Sequence, residues 1–89
     1  MKIKEGFVLR TVMGKTVAVA VGPLSKSFRG MIKLNDTARD IWRGIEDGLD
    51  ETGIADKLCQ TYAVTEEKAL DDVRKMISLL RDNGVIEDE

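Results

Sequence analysis

The hydrophobic pattern changes its period near Asn35, and this change limits the folds that the chain can adopt. In the stretch FVLRTVMGKTVAVAVG, residues 7–22, apolar side chains alternate along the chain on both sides of Gly14. Alternation around a glycine is typical of a β-hairpin, because successive side chains of a strand point to opposite faces. Gly22-Pro23 ends the second strand, since proline cannot donate a hydrogen bond to a sheet.

A third extended run follows a short polar loop and spans residues 28–34. Its alternation puts Phe28, Gly30, Ile32 and Leu34 on one face, and Arg29, Met31 and Lys33 on the other. The run contains no proline, so its backbone remains able to pair with another strand. Arg29 and Lys33 fit two interpretations, which are protection of an edge strand and recognition of acidic groups on a bound peptide.

Apolar side chains recur at helical spacing after Asn35. Asn35 is a good N-cap residue with Asp36 in the favourable first turn, and Gly48 closes this first helix. A second helix is predicted over about residues 52–62, and a third runs from a Thr65 cap to about residue 83. The apolar stripes are Ala38, Ile41, Trp42 and Ile45 in the first helix, Ile54, Leu58 and Tyr62 in the second, and Leu70, Val73, Ile77 and Leu80 in the third.

Strands that precede helices, without a repeat or a linker between them, predict one α+β domain over residues 1–89. We expect a three-stranded antiparallel sheet followed by three helices. This is a winged-helix-like plan in which the strands stand ahead of the helices.

Catalytic and metal-binding residue types are scarce. The sequence contains no histidine and one cysteine, Cys59, which argues against histidine-based acid–base catalysis and a cysteine-rich zinc site. It also lacks a glycine-rich phosphate loop. We therefore expect a protein that is not an enzyme and that holds neither a metal nor a cofactor.

Charge and hydropathy narrow the choice of partners. The formal net charge is −2, whereas nucleic-acid binders usually carry a basic excess. The predicted third helix has more acidic than basic residues, which disfavours it as a DNA recognition helix. No run approaches the roughly 20 apolar residues that span a bilayer, and a single cysteine fits a reducing compartment. We expect a cytoplasmic protein that binds neither nucleic acid nor membrane.

The third helix is apolar beyond its core stripe on one flank only. Met76 and Leu79 extend the apolar surface on that side, whereas the opposite margin is polar. Two interpretations remain open. The two side chains pack under a neighbouring loop, or they form the wall of a hydrophobic groove.

Taken in order, the segments IKLNDTARDIW, IADKLCQTYAV and DDVRKMISLLRDNGVIED resemble the PqqD family. The family pattern is Leu-Asn-x-Thr-Ala at the first helix, Ile-x-x-x-Leu-x-x-x-Tyr in the second and Asp-Val with a later Leu-x-x-x-Gly in the third. It is matched by Leu34, Asn35, Thr37, Ala38, Ile54, Leu58, Tyr62, Asp72, Val73, Leu80 and Gly84. The chain departs from the pattern at Asp50-Glu51-Thr52-Gly53, where the family usually has a clean threonine cap. The upstream strands are similar to stand-alone PqqD-like proteins of anaerobic bacteria.

The resemblance implies a peptide-binding module of the kind called a RiPP recognition element. Such a module binds the leader of a ribosomally made precursor peptide and presents the peptide to a modifying enzyme, often a radical SAM enzyme. Synthesis of pyrroloquinoline quinone (PQQ) is one pathway that the family name suggests. By analogy, the leader would add as a strand along residues 28–33 and contact Asp72, Met76 and Leu79 on the third helix. The alternatives are a winged-helix DNA-binding regulator and a structural protein that forms homodimers through the third strand.

Overall fold

The change of hydrophobic pattern at Asn35 is also the boundary between sheet and helices in the computed structural model, which describes residues 1–26 and 30–88. The strands are β1 (Lys2–Ile3), β2 (Phe7–Val12), β3 (Lys15–Ala20), β4 (Met31–Leu34) and β5 (Ile86–Glu87). The helices are α1 (Asp36–Glu46), α2 (Glu51–Thr61) and α3 (Glu66–Asp82), and Gly22–Lys26 forms a short 3₁₀ helix. The expected α+β fold, with a three-stranded antiparallel sheet followed by three helices, is confirmed.

Strands β2, β3 and β4 form the main sheet in that order. The hairpin between β2 and β3 turns at Met13 and Gly14, whose φ angles are 53° and 77°. Two consecutive left-handed residues are typical of the tight turn whose twist matches that of the flanking strands. On the other side of β3, β4 pairs in a register that runs from Thr16 opposite Leu34 to Val19 opposite Met31.

Strand β4 is shorter than the extended run predicted over residues 28–34. It begins at Met31, and Gly30 forms a bend ahead of it instead of a strand position. Gly30 has no side chain to pack against a neighbouring strand, which explains why pairing stops there. Phe28 and Arg29, also predicted in this strand, lie outside the described residues.

A second, two-stranded sheet pairs β1 with β5. The N–H of Lys4 extends this pairing by donating to the carbonyl of Val85 at 2.7 Å. The sequence did not predict these strands, because two residues are too few to display an alternating pattern. Arg81, at the end of α3, donates two hydrogen bonds of 2.9 Å to Asp88 just beyond β5.

Each helix begins at a capping side chain. Asn35 and Asp50 accept hydrogen bonds of 2.8 Å from the N–H groups of Ala38 and Gly53, and Thr65 accepts one of 3.2 Å. The caps at Asn35 and Thr65 are those predicted from the sequence, whereas α2 is capped by Asp50 and not by a threonine. The departure from the family pattern at this point therefore replaces one capping residue by another.

The core lies between the inner face of the main sheet and the three helices. The sheet contributes Phe7, Ala18 and Leu34, and the helices contribute Ile41, Trp42, Ile45, Ile54, Leu58, Val73, Ile77 and Leu80. Leu70, which was predicted to face the core with the α3 stripe, is half-buried at its margin, and the preceding Ala69 is fully buried. Cys59 is half-buried with a free thiol. No helix of the described chain is long and apolar enough to cross a membrane.

Gly44 lets α1 and α2 approach closely. A Cβ atom at this position would lie 2.8 Å from Cγ1 of Ile54, which is shorter than carbon atoms tolerate. Ile54 is only 1% exposed, so its side chain has little room to move away. Glycine is unfavourable inside a helix, and here the contact explains its presence.

We expect Gly44→Ala to destabilise the fold, although alanine is the better helix former. The overlap with Ile54 should outweigh the gain in helix propensity and lower the free energy of unfolding by about 1 to 3 kcal/mol. Chemical denaturation measures this change. Ser78→Ala on the exposed side of α3 is the control, for which little change is expected. An unchanged or raised stability of Gly44→Ala would show that the helices can separate at little cost.

Candidate functional site

Strand β4 lies at an edge of the main sheet. It pairs with β3 on one side, and within residues 1–26 and 30–88 no strand pairs with its other side. Met31 and Lys33 point to the outer face and are exposed, whereas Ile32 and Leu34 point toward the helices. An edge strand of this kind presents unpaired backbone N–H and C=O groups to a further strand.

A groove of about 430 Å³ runs between the first part of α1 and the middle of α3. It is lined on the α1 side by Asn35, Thr37, Ala38 and Ile41, and on the α3 side by Lys68, Asp72, Lys75, Met76 and Leu79. The groove therefore contains three of the side chains predicted for peptide binding, Asp72, Met76 and Leu79.

The floor of the groove is apolar. Ile41 is 1% exposed and Met76 is 9% exposed, whereas Leu79 on the rim is 48% exposed. The expectation that the apolar surface of α3 extends beyond the core therefore holds for Leu79, but Met76 is a floor residue and not an exposed one. The side chain of Met76 is flexible, which suits a surface that adapts to different apolar groups.

The charged groups on the α3 side are paired along the helix. Lys68 Nζ lies 2.5 Å from Asp72 Oδ1, and Lys75 Nζ lies 2.9 Å from Asp71 Oδ2. The hydrogen bond between Lys75 and Asp71, reinforced by their opposite charges, raises the pKa of Lys75 and lowers the pKa of Asp71. Both pairs are largely exposed, so they contribute little to stability. Their charges offset each other and leave the groove suited mainly to apolar groups.

Asn35 connects the edge strand to the groove. It follows β4 directly, caps α1 through its side chain and lines the groove. Met31, Ile32 and Lys33 lie along the edge strand, outside the groove itself, and Gly30 lies in the bend ahead of it. The predicted residues thus fall into two adjoining parts, an edge and a groove, while Phe28 and Arg29 are outside the described residues.

Sequence reasoning missed the α1 wall of the groove. Asn35, Thr37 and Ala38 were recognised as parts of a helix start, but not as groove residues. The family pattern Leu-Asn-x-Thr-Ala contained the signal, because a pattern that specifies a small residue after the cap can reflect a surface as well as a helix. Pairing of this wall with α3 is a tertiary feature that helical periodicity does not report.

A second cavity, of about 370 Å³, lies between α1 and α2. The O–H of Tyr62 donates a 2.5 Å hydrogen bond to Asp40 there, and Arg39 Nη2 lies 3.2 Å from the same carboxylate. The bond to Asp40 raises the pKa of Tyr62. The hydrogen bond and the ion pair use the polar atoms of these three side chains and connect α1 to the end of α2, which is a structural role.

Metal ligands are not gathered at either cavity. Within the part of the chain that the structure describes, no group of three or more Cys, Asp or Glu side chains is arranged to hold a metal ion.

Comparison with solved structures finds two protein chains of the same fold. The structure described as TbiB1 in complex with the TbiA(beta) leader peptide has a TM-score of 0.81 and 22% sequence identity, and the match covers 100% of this chain and 98% of that one. Lasso peptide synthetase B1, complexed with the leader peptide, has a TM-score of 0.78 and 23% identity, with coverage of 94% and 93%. A comparison with curated proteins gives no match.

The sequence profile of coenzyme PQQ synthesis protein D (PqqD) matches residues 24–86. This range includes β4, the three helices and every residue that lines the groove between α1 and α3. The chain belongs to the PqqD family.

Proposed function

We propose that this protein is a non-catalytic adaptor that binds the leader of a ribosomally made precursor peptide and presents the peptide to a modifying enzyme, such as a radical SAM enzyme. One observation carries the proposal. An edge strand, one side of which is unpaired within the described part of the chain, leads directly, through Asn35, into a groove with an apolar floor. Strand addition to an edge, with alternate side chains in pockets, is an established mode of peptide recognition.

The leader backbone would pair with β4. Main-chain hydrogen bonds to every second residue of β4, those whose N–H and C=O groups face the free edge, would supply affinity that depends little on the peptide sequence. Side chains of the added strand alternate between the two faces of the sheet. Those on the inner side would point toward Met76 and Leu79, so apolar leader residues at every second position would give specificity.

The two structural neighbours support the binding of a leader peptide, because both were solved with leader peptides. Membership of the PqqD family supports it as well. Family membership does not by itself identify the biosynthetic pathway that the adaptor serves. Synthesis of PQQ in a bacterial host is one possibility within the proposal, and maturation of another peptide is the second.

The groove chemistry supports an adaptor over an enzyme. Its lysine and aspartate side chains are paired with each other or with a neighbour, which leaves no free group placed to act as a general acid or base. The sequence has no histidine, and the free thiol of Cys59 lies on α2, outside the groove. A free cysteine also agrees with a cytoplasmic location.

A DNA-binding regulator is the disfavoured alternative. In a DNA-reading winged helix α3 would be the recognition helix, but it carries Glu66, Glu67, Asp71, Asp72 and Asp82 against four basic residues. Such a helix would repel the phosphate backbone about as much as it attracts it.

Proline substitutions on β4 test strand addition. Adjacent residues of a strand direct their N–H groups to opposite sides, so one of Met31 and Ile32 faces β3 and the other faces the free edge. We expect one of Met31→Pro and Ile32→Pro to keep the helices folded and to abolish leader binding, because it removes a donor at the free edge. The other should disturb the pairing with β3. Circular dichroism and fluorescence anisotropy of a labelled leader from the precursor encoded beside this protein measure the two effects.

A result in which both variants fold and bind the leader as tightly as the original chain would rule out strand addition at β4. Exposed Thr11, on the opposite edge strand, precedes the hydrogen-bonded pair of Val12 and Lys15 at the turn, so its N–H points away from β3 and Thr11→Pro is the matched control. Leader affinity should survive this change.

The apolar rim of the groove can be tested separately. We expect Leu79→Asp to weaken leader binding by about tenfold, because half of this side chain is free to be covered by an apolar leader residue. Thermal stability should change little. Ser78→Asp is the matched control, since Ser78 is exposed on α3 but does not line the groove. Isothermal titration calorimetry gives the affinities, and equal affinities for the two variants would contradict the assignment of the groove.

A further inference from the structure

The net charge of the chain is small, but its basic and acidic residues are concentrated in different halves of the sequence. Residues 1–34 contain seven of the 14 basic residues and one of the 16 acidic residues, Glu5. The remaining basic residues and all other acidic residues follow Asn35. The segment that forms the main sheet is therefore strongly positive, and the helical segment is strongly negative.

The outer face of the main sheet combines this charge with apolar side chains. The strand register puts Arg10, Val17 and Lys33 in one row across three strands, and Val8, Val19 and Met31 in the neighbouring row. We call these two rows the outer sheet face. These side chains are not part of the core cluster. Val17 is only 3% exposed and Val8 and Val19 are half-buried, so the exposed groups of this face are Arg10, Met31 and Lys33.

Acidic partners for the basic groups of this face are not found among residues 1–26 and 30–88. Among the described residues, eight basic side chains lie within 4.0 Å of a carboxylate, and all of them are in the helices or in β1. Arg10, Lys33 and Lys15, the last at the start of β3, are not among them. Surface charges that lack a local counter-ion are available for an external one.

The hairpin tip adds an apolar group whose backbone geometry is unfavourable. Met13 is 96% exposed and has a φ of 53°, although asparagine and glycine suit this turn position better. Val12 beside it is 47% exposed. Neither side chain packs in the core, so the fold does not explain why the tip is apolar.

We propose that the outer sheet face and the hairpin tip form a second docking surface, which binds a surface of the modifying enzyme that has an apolar centre bordered by Asp and Glu. This inference rests on the adaptor function proposed above. Charge complementarity carries it, because a protein surface with acidic groups around apolar ones matches both components of this face. A leader strand paired with β4 would extend the same sheet, so an enzyme docked on the outer face would lie next to the bound peptide.

A second copy of the chain is a poorer occupant. Two outer faces packed symmetrically would bring Arg10, Lys15 and Lys33 against the same residues of the other copy, and like charges oppose such a contact. Nucleic acid fits less well too. Phosphates would pair with the basic groups but would leave Val12, Met13 and Met31 without apolar partners.

The first test uses Met13→Asn. Asparagine favours the left-handed conformation, so we expect the melting temperature to stay equal or rise. Leader affinity should not change, because Met13 lies in the turn between β2 and β3 and neither belongs to β4 nor lines the groove. Affinity for the purified enzyme that modifies the precursor of the bound leader should fall several-fold. A loss of enzyme binding without a loss of stability would show that Met13 contacts the enzyme and does not act through the stability of the fold.

The second test reverses two charges with Arg10→Glu and Lys15→Glu. We expect enzyme affinity at low salt to fall by about tenfold or more, and its dependence on salt to weaken. Lys57→Glu on α2 is the control, since this lysine is exposed and its helix packs against α1 and α3. Biolayer interferometry with the purified enzyme, at two salt concentrations, measures both quantities.

Enzyme binding that is unaffected by Met13→Asn and by the charge reversals would overturn the inference. The inference would also be overturned if these residues served another partner. In that case the unmutated chain would dimerise, or bind duplex DNA or anionic vesicles, through these residues, and the variants would still bind the enzyme. Leader titrations of the same samples keep the two proposals apart. Failure of the original chain to bind the leader counts against the adaptor function, whereas normal leader binding with unchanged enzyme binding counts only against the outer face.

Discussion

The hydrogen bond from the Ala38 N–H to the side chain of Asn35 determines how the two halves of the fold join. It ends the extended chain of β4 and begins α1 within a single residue. No loop intervenes, so the direction of the edge strand sets the position of the helix, and with it one wall of the groove. A longer connection would allow the strand edge and the groove to move apart. The peptide site that we propose depends on their contact.

Close helix packing stabilises the other wall. Gly44 brings α1 and α2 together, and α2 in turn packs along α3. Arg74 of α3 lies 3.1 Å from Glu51 of α2, which adds a polar contact to the apolar one. The groove between α1 and α3 is therefore held from behind by α2, the helix that does not line it. Two structures with 22% and 23% sequence identity share the overall fold.

Local signals in the sequence were sufficient for most of the fold. The hairpin around Gly14, the cap at Asn35 and the long helix after Thr65 each rest on interactions within a few residues, and each was predicted. Strands β1 and β5 were missed because their pairing joins distant parts of the chain. The late start of β4 was missed because the alternating pattern does not reveal that Gly30 lies in a bend. The burial of Met76 was missed for a similar reason, since it depends on α1 being present to cover that flank of α3.

Pairing of β1 with β5 brings Lys2 opposite Glu87, so the chain enters and leaves the fold at neighbouring strands. Antiparallel neighbours are separated by only about 5 Å. A surface loop of a larger protein could therefore accept this module as an insert without a change in its own span, because the host chain would depart and return at almost the same point. The module could in this way be built into an enzyme, where a tether would replace the affinity that separate proteins need to meet.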